Sequence, residues 1–269
     1  MSADAAQQAD TPEPLVLRRT DGAVATLTLN RPRAYNALSI GLMEAILEEL
    51  AALDRDRSVA VVVIEGSGRG FSGGHDLKEL QANPDVAFRQ RTFDTCTKMM
   101  LAVTRLRQPV IAKVHGIATA AGCQLVATCD LAIAADSAKF GTPGVNIGLF
   151  CSTPMVALSR AVHRKQAMEM LLTGEVVSAQ HAAEIGLINR SVPEDQLDVE
   201  TTALADVIAS KSRKVLKTGK EAFHRQIDMT LEDAYAYAGG VMVENMGYAD
   251  TDEGIDAFIG KRPPLWTHE

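Results

Sequence analysis

Two glycine-rich loops contain the residues whose types and spacing could do chemistry: Phe71–Leu77 and His115–Gln124. Glycine lets the backbone approach a ligand closely and leaves N–H groups free of local hydrogen bonds. In the second loop the free amides also lie where a helix is predicted to begin, and a helix N-terminus favours an anion. Two such amides that converge on one point form an oxyanion hole, which stabilises a thioester enolate or a tetrahedral oxyanion. The same glycines would also suit two tight turns that bind nothing.

Other familiar site patterns are incomplete in this sequence. The stretch Gly66–Gly70 lacks the third glycine of a dinucleotide-binding loop, because Phe71 stands at that place. The pair Gly219-Lys220 lies within a helical pattern and not in a phosphate-binding loop. The four cysteines form no C-x-x-C pair and the histidines no H-x-x-x-H pair, so we predict neither a metal site nor a disulfide framework.

The elements around the two loops predict how the loops are positioned. Three continuous apolar runs are typical of strands covered on both faces: Val59–Ile64, Val110–Val114 and Leu131–Ala135. Helical patterns separate these runs, and this alternation indicates parallel βαβ units. Since ligands bind beyond the carboxyl ends of strands in such sheets, both loops stand at the expected place.

Flanking segments complete the predicted chain. Two β-rich runs, Leu15–Arg19 and Ala23–Leu29, surround an Asp-Gly pair that predicts a hairpin, and Ser39 is predicted to cap a helix that runs to about Leu53. From Thr153 onward the pattern is almost wholly helical. We therefore predict a disordered tail over residues 1–14, a core with the ligand site over 15–200, and a helical oligomerisation region over 201–269.

Composition limits the possible partners and location. The net charge of −7 argues against nucleic-acid binding, and no apolar run approaches the ~18 residues of a membrane span. The first residues, Met1 to Pro14, have neither an apolar core nor the arginines of a targeting peptide. From these features we predict no nucleic-acid partner, no membrane partner and a cytoplasmic location.

A series of short motifs resembles the crotonase (enoyl-CoA hydratase/isomerase) superfamily over nearly the whole chain. Each motif is weak alone, but their order and spacing together are specific. They are Leu29–Pro32 with Asn36–Leu38, Phe71–Leu77, Pro109–Ala112 with Gly116, Ala121–Leu125, Cys129–Asp130, Phe140–Pro143, Ile147–Gly148, Leu172–Gly174, Ser178–Ala179, Gly186–Leu187 and Glu253–Phe258. Within the superfamily, the stretches Phe71–Leu80, Ala118–Leu125 and Thr142–Pro154 resemble the group called enoyl-CoA hydratase domain-containing protein 3.

The resemblance implies an α/β fold, with a crotonase-like ββα spiral core and a helical C-terminal region that forms trimers or hexamers. It implies that the N–H groups of His75 and Ala121 make an oxyanion hole for an acyl-CoA thioester, with coenzyme A entering as part of the substrate and no separate cofactor. The residues implied to line the coenzyme channel are Gly73, Gly74, Asp76, Leu77 and Lys78. Lys261, near the C-terminus, is implied to contact the coenzyme's phosphates, although a solvated helix-end charge fits it equally well.

The sequence departs from the hydratase pattern at two positions. Hydratases of this superfamily use two glutamates for proton transfer, and the matching positions here hold Gln124 and Gly144. A carboxamide cannot accept a proton near neutral pH, so the resemblance predicts an acyl-CoA protein whose usual hydratase mechanism is doubtful. The alternatives are an acyl-CoA-binding module without activity, or other thioester chemistry such as hydrolysis or decarboxylation.

Polar residues near these loops could have structural roles in place of catalytic ones. The imidazole of His75 is expected to point into the coenzyme channel or solvent, and Asp76 to cap the helix that follows it. Asp130 is expected to satisfy backbone amides at the start of a strand. Cys151 would need a base partner to act as a nucleophile, and Cys123 is expected to be a small core residue.

Overall fold

In the computed structural model, residues 13–268 are described; the predicted tail over residues 1–14 lies almost wholly outside this range. Ten strands occur in these residues: β1 Val16–Asp21, β2 Val24–Leu29, β3 Val61–Gly66, β4 Gly70–Ser72, β5 Val110–Val114, β6 Ile117–Thr119, β7 Leu131–Ala135, β8 Lys139–Gly141, β9 Val176–Ser178 and β10 Arg190–Val192. β1 and β2 form the predicted antiparallel hairpin.

Two sheets share these strands. The larger sheet has the order β1-β2-β3-β5-β7-β10, and all pairs beyond the hairpin are parallel. The smaller sheet has the order β4-β6-β8-β9, in which β4, β6 and β8 are parallel and β9 is antiparallel. Because β3, β5 and β7 lie in one sheet and their successors β4, β6 and β8 in the other, the chain winds as repeated ββα units.

Eleven α-helices connect and cover the sheets within the described residues. They are α1 Ile40–Arg55, α2 Leu77–Ala82, α3 Val86–Arg105, α4 Ala121–Thr128, α5 Pro154–Ala161, α6 Arg164–Thr173, α7 Ala179–Glu184, α8 Leu197–Ala209, α9 Arg213–Gln226, α10 Leu231–Met246 and α11 Ala249–Ile259. Ser39 caps α1 as predicted, since its side chain accepts a hydrogen bond from the Leu42 N–H.

The almost wholly helical pattern predicted after Thr153 is present as helices α5 to α11, and two three-residue strands that were not predicted, β9 and β10, lie between them. The smaller sheet as a whole was also missed. Its strands have three residues each, which is too short for a period of two to show in the sequence.

The core lies mainly on the face of the large sheet covered by α1, α3 and α4. On the other face, Ala205 of α8 packs among Val61, Val63 and Ile111, so the sheet is covered on both sides as its continuous apolar strands predicted. The predicted boundary near residue 200 lies inside α8. Helices α9, α10 and α11 follow this covering helix.

Candidate active site

Three loops meet at one edge of the smaller sheet. Each follows one of the neighbouring parallel strands β4, β6 and β8, so their carboxyl ends lie side by side. The first two loops are the glycine-rich ones, and the third begins at Thr142. The site therefore lies beyond the carboxyl ends of strands, as predicted, but these are strands of the sheet that the sequence did not reveal.

The two amides predicted to bind the thioester oxygen are unpaired. His75 and Leu38 form a parallel bridge. In this bridge the Leu38 N–H donates to the Gly74 carbonyl, and the Leu38 carbonyl accepts from the Asp76 N–H. The N–H of His75 therefore points away from Leu38. Ala121 is the first residue of α4, where an N–H has no partner within the helix. Neither N–H has a hydrogen-bond partner within residues 13–268.

Backbone conformation brings these two amides together. Gly74 has φ +91°, and a Cβ placed on it would lie 3.2 Å from the Ala121 nitrogen and 2.8 Å from the Ala120 Cβ. Only glycine allows this approach at this φ. Ala120 itself has φ 49°, a strained value for alanine, and its N–H bonds the Gly141 carbonyl at the end of β8 at 2.9 Å. This arrangement of two adjacent free amides can hold a developing oxyanion.

The imidazole of His75 is largely covered by protein, which contradicts the solvent alternative of the prediction; its contact with the coenzyme channel stays a prediction. Its ring makes an edge-to-face contact with Phe93 of α3, with the ring centres 5.2 Å apart. Burial lowers its pKa to about 4, so the ring is neutral at pH 7. Its Nε2 atom is enclosed and has no hydrogen-bond partner among the described residues.

Asp76 has the structural role that the sequence predicted. Its carboxylate accepts from the N–H groups of Lys78 and Glu79 at the start of α2, and it forms an ion pair with Arg31 at 2.9 Å. Although burial opposes ionisation, the bonds from Arg31 and the two amides hold the pKa of Asp76 below its usual value. The Arg31 contact was not anticipated and ties α2 to the segment after β2.

The other residues predicted for the coenzyme channel lie in the first loop and at the C-terminus. Gly73, Leu77 and Lys78 are exposed, whereas Gly74 is buried against the second loop. Lys261 is exposed and follows α11. Their contact with a coenzyme stays a prediction.

Gln124 and Gly144, the two positions at which glutamate was expected, have different surroundings. Gln124 lies one turn after Ala121 on α4, is 6% exposed, and its Oε1 has no hydrogen-bond partner within the described residues. Gly144 is buried in a short 3-10 helix over Pro143–Ile147. A Cβ at Gly144 would lie 2.8 Å from the Cys151 Sγ and closer still to the Leu149 carbonyl oxygen. The third loop therefore folds onto the place where a side chain at Gly144 would begin.

Neither cysteine near the site has the surroundings of a nucleophile. Burial raises the pKa of the Cys151 thiol, even though a hydrogen bond with the Gly144 backbone opposes this shift. Burial raises the pKa of Cys123 to about 12, and its side chain lies in the core as expected. A thiol held protonated is a poor nucleophile.

The Asp130 side chain has a structural role, as expected, but the sequence did not predict which residues it binds. Its carboxylate accepts from the Val110 N–H at 2.7 Å and pairs with Lys220 at 2.6 Å and with His224 at 3.4 Å. Lys220 also donates to the carbonyls of Val103 and Gln108. Through these contacts the buried Lys220 ammonium joins α9 to the turn that ends α4. The Gly219-Lys220 motif did not predict this structural role.

Residues 13–268 contain no group of three or more histidine, cysteine or carboxylate side chains that could hold a metal ion. Over the same range, no helix is both long and apolar enough to cross a membrane.

Repeated ββα units that build two sheets, with paired free amides after β4 and β6, define a protein of the crotonase fold. Comparison with known proteins agrees with this class. The chain belongs to the enoyl-CoA hydratase/isomerase family, whose model matches residues 19–269.

Individual relatives and solved structures are similar over most of their length. The chain is 47% identical over 251 residues to enoyl-CoA hydratase domain-containing protein 3, mitochondrial, from Rattus norvegicus, which covers 93% of this chain and 83% of that protein. The Homo sapiens protein of the same name is 45% identical over 99% of this chain and 88% of that protein. A crystal structure of an enoyl-CoA hydratase from Mycobacterium smegmatis superimposes with a TM-score of 0.93 at 52% identity, over 94% of this chain and 99% of that one.

The comparison confirms the predicted resemblance to the domain-containing protein 3 group, and the crystal structure of the human member gives a TM-score of 0.91 at 44% identity, over 94% of this chain and 100% of that one. It contradicts the predicted cytoplasmic location. The relatives from Rattus norvegicus, Mus musculus and Homo sapiens are named as mitochondrial proteins.

Proposed function

We propose that this protein binds acyl-CoA thioesters and polarises the thioester carbonyl through the N–H groups of His75 and Ala121. The observation that carries the proposal is the pair of unpartnered amides on adjacent loops. Free backbone donors that are already oriented stabilise a developing oxyanion without reorganisation. Family membership supports the proposal, because the family binds acyl-CoA thioesters.

Hydration by two glutamates is not part of the proposal. Gln124 can hydrogen-bond a water but cannot accept its proton, and Gly144 has no side chain. Positioned acid–base groups contribute about 10²–10⁴-fold to such reactions. Without them, turnover of an enoyl thioester by the usual route would be slower by a factor of that order.

A binding module without turnover is the second candidate function, and it has its own support. At neutral pH the His75 ring is too weak a base, since its pKa is about 4, and the Cys151 thiol is held protonated. The Asp76 carboxylate is occupied by Arg31 and the start of α2. These three groups near the amides are therefore poorly suited to proton transfer.

The coenzyme part of the ligand would extend along the first loop. In this proposal Gly73, Gly74, Asp76, Leu77 and Lys78 line the channel for adenine and pantetheine, and Lys261 contacts a phosphate. The exposed ammonium of Lys78 suits the phosphates of such a ligand.

Replacing Ala121 by proline tests the role of the amide directly. Proline is favoured at the first position of a helix; it removes the N–H there and also places a ring carbon on the Ala121 nitrogen, beside Gly74. Calorimetric titration should show acyl-CoA binding weakened about three- to tenfold, the value of one hydrogen bond, with free coenzyme A bound as before. Val86→Pro, at the exposed first position of α3, is the matched control. Equal acyl-CoA affinity in Ala121→Pro and wild type would contradict the proposal.

An activity assay separates the two candidate functions. Crotonyl-CoA should lose its enoyl absorbance about 10²–10⁴-fold more slowly than with a hydratase that has both glutamates, because the usual proton-transfer groups are replaced. Turnover of another thioester that Ala121→Pro abolishes would establish a catalyst. Binding with no turnover of any thioester in a panel would support the module.

We also propose that the protein forms trimers or hexamers through its C-terminal helices. The supporting observation is a set of exposed large apolar side chains on or beside α9, α10 and α11: Phe223, Ile227, Leu231, Tyr235, Met242, Val243, Met246, Phe258 and Ile259. A surface of this kind is typical of a protein–protein interface. Size-exclusion chromatography with light scattering measures the mass, and a monomer at micromolar concentration would count against the proposal.

A further inference from the structure

The bridge between His75 and Leu38 sets the direction of the His75 N–H with two hydrogen bonds. The Leu38 N–H donates to the Gly74 carbonyl at 2.8 Å, and the Asp76 N–H donates to the Leu38 carbonyl at 3.3 Å. The second distance is at the long end of the range for such bonds. Because the bridge is isolated from the ten strands, the direction of the His75 amide depends on the contacts beside it.

The Arg31 guanidinium joins the two residues that flank this bridge. Its Nη1 donates to the Ala37 carbonyl at 2.5 Å, and its Nη2 donates to the Asp76 carboxylate at 2.9 Å. Ala37 directly precedes Leu38, and Asp76 directly follows His75. One planar group therefore holds the chain on both sides of the bridge, and the fixed fork of a guanidinium suits two acceptors at a set spacing.

The backbone of Arg31 is itself fixed to the start of the first loop. Its N–H donates to the Asn36 Oδ1 at 2.9 Å, and its carbonyl accepts from the Asn36 N–H at 3.0 Å. The Asn36 side chain is fully buried and donates to the carbonyls of Ser67 and Gly70. Gly70 begins β4, which leads into the loop of His75. Arg31 therefore reaches the bridge from a base that is bonded to the same loop.

The ion pair between Arg31 and Asp76 is partly buried. The two side chains are 24% and 13% exposed. Although burial opposes ionisation, the bonds from Arg31 and from the amides of α2 keep the pKa of Asp76 below its usual value, so the carboxylate is charged at neutral pH. Salt screens such a pair much less than an exposed one. Arg91 and Glu44 form an exposed pair at the same distance of 2.9 Å.

The two oxygens of Asp76 have separate partners. Oδ1 accepts from the N–H groups of Lys78 and Glu79 and so caps α2, whereas Oδ2 binds Arg31. Asparagine caps a helix as well as aspartate does. Its amide nitrogen would replace Oδ2 and would face a guanidinium that can only donate. The substitution Asp76→Asn therefore separates the cap of α2 from the contact with Arg31.

We propose that Arg31 is a positioning residue for the oxyanion hole: by joining Ala37 to Asp76 across the bridge, it directs the His75 N–H toward the thioester oxygen. Arg31 acts through these residues and not through the ligand. This inference rests on the proposed function, since it assumes that the His75 and Ala121 amides bind an acyl-CoA carbonyl.

Two ligands that differ only at the carbonyl test the inference. Butyryl-CoA has the thioester oxygen, whereas the thioether S-butyl-CoA has the same coenzyme and chain length without it. By calorimetric titration, wild-type protein should bind butyryl-CoA about thirtyfold more tightly, the value of two hydrogen bonds. In Arg31→Met and in Asp76→Asn this ratio should fall about three- to tenfold, because the His75 amide loses its direction. Arg91→Met, which removes the exposed ion pair, should keep the wild-type ratio.

Infrared spectroscopy of the bound thioester gives a second readout. Hydrogen bonds to the oxygen weaken the C=O bond and lower its stretching frequency. With butyryl-CoA labelled isotopically at the carbonyl, this band should lie at lower frequency in wild type and Arg91→Met than in Arg31→Met. A loss of stability alone would not move the band in folded protein that is saturated with ligand.

The possible outcomes separate this inference from the proposed function. If wild-type protein binds neither ligand, or binds both equally, the proposed function fails and the inference fails with it. A wild-type preference for butyryl-CoA that is unchanged in Arg31→Met and Asp76→Asn would overturn the inference and leave the proposed function standing. Equal weakening of both ligands, with the carbonyl band in place, would also overturn it, since Arg31 would then support only α2. If Arg31→Met does not fold, Asp76→Asn decides, because it keeps the cap of α2.

Discussion

Replacing Gly144 by alanine tests whether the third loop has closed the place of the second glutamate. The new methyl group would lie 2.8 Å from the Cys151 Sγ and closer still to the Leu149 carbonyl oxygen, well inside ordinary contact distance. The thiol could turn away, but the carbonyl belongs to the backbone, which bonds back to Gly144 through the Leu149 N–H at 2.9 Å. Relief therefore requires the loop itself to move.

The expected effect is a loss of stability of the size seen for overpacked cores, about 1–3 kcal/mol. For a chain of this length that corresponds to a fall in Tm of roughly 2–10 °C. Thermal unfolding followed by circular dichroism at one protein concentration measures it. Gly219→Ala is the matched control, because Gly219 is exposed within α9 and a Cβ there meets nothing within 4 Å. That change should leave Tm unaltered or raise it slightly, since alanine favours helix.

A double substitution identifies the atom responsible. Cys151→Ala removes the Sγ but leaves the Leu149 carbonyl in place. If the carbonyl is the obstacle, Gly144→Ala should still destabilise a protein that already has Cys151→Ala. A Gly144→Ala protein as stable as wild type would refute the reasoning, and a Gly144→Glu protein that folds and hydrates crotonyl-CoA would refute it more strongly.

Three further outcomes are expected. Lys220→Met should destabilise the protein by about 3 kcal/mol, because it leaves the Asp130 carboxylate without its main partner; urea unfolding measures this, with exposed Lys217→Met as the control. In the unfolded chain the His75 ring becomes protonated below its ordinary pKa of 6.5, whereas in the folded protein the ring stays neutral down to about pH 4. His75 therefore supports stability above pH 6.5, and this contribution should fall by up to about 3 kcal/mol between pH 6.5 and 4; in His75→Phe the fall with pH should be shallower by that amount, and identical pH profiles would contradict the burial of the ring. Asp250→Asn should loosen the C-terminal segment, because the Asp250 carboxylate accepts from the Thr267 and His268 N–H groups; faster removal of these residues by carboxypeptidase would show it.

Much of the fold could be predicted because its signals are local. The buried strands Val110–Val114 and Leu131–Ala135 begin and end where the apolar runs do. The caps of Ser39 and Asp76 follow from the preference of short polar side chains for a helix start. The family resemblance rested on motifs in order, and the family model confirms it.

The side-chain environment of the site could not be predicted in the same way. The sequence shows a histidine at position 75 but not that Phe93, eighteen residues later, covers its ring. Nor does it show that the Leu149 carbonyl and the Cys151 thiol lie against Gly144. These contacts join different elements, and no periodicity or turn preference encodes them.

The sequence by itself determined the large parallel sheet, most helices and the two glycine-rich loops, because all of these follow from local conformational preference and the burial of apolar runs. The choice of the His75 and Ala121 amides came from the family resemblance. Only the tertiary structure revealed the smaller sheet, whose three-residue strands exist through pairing with distant partners. That sheet aligns β4, β6 and β8, and so brings the amides of His75 and Ala121 together. The tertiary structure likewise decided that the His75 ring is neutral and that Lys220 fastens α9 to the core, since both depend on burial among residues far apart in the chain.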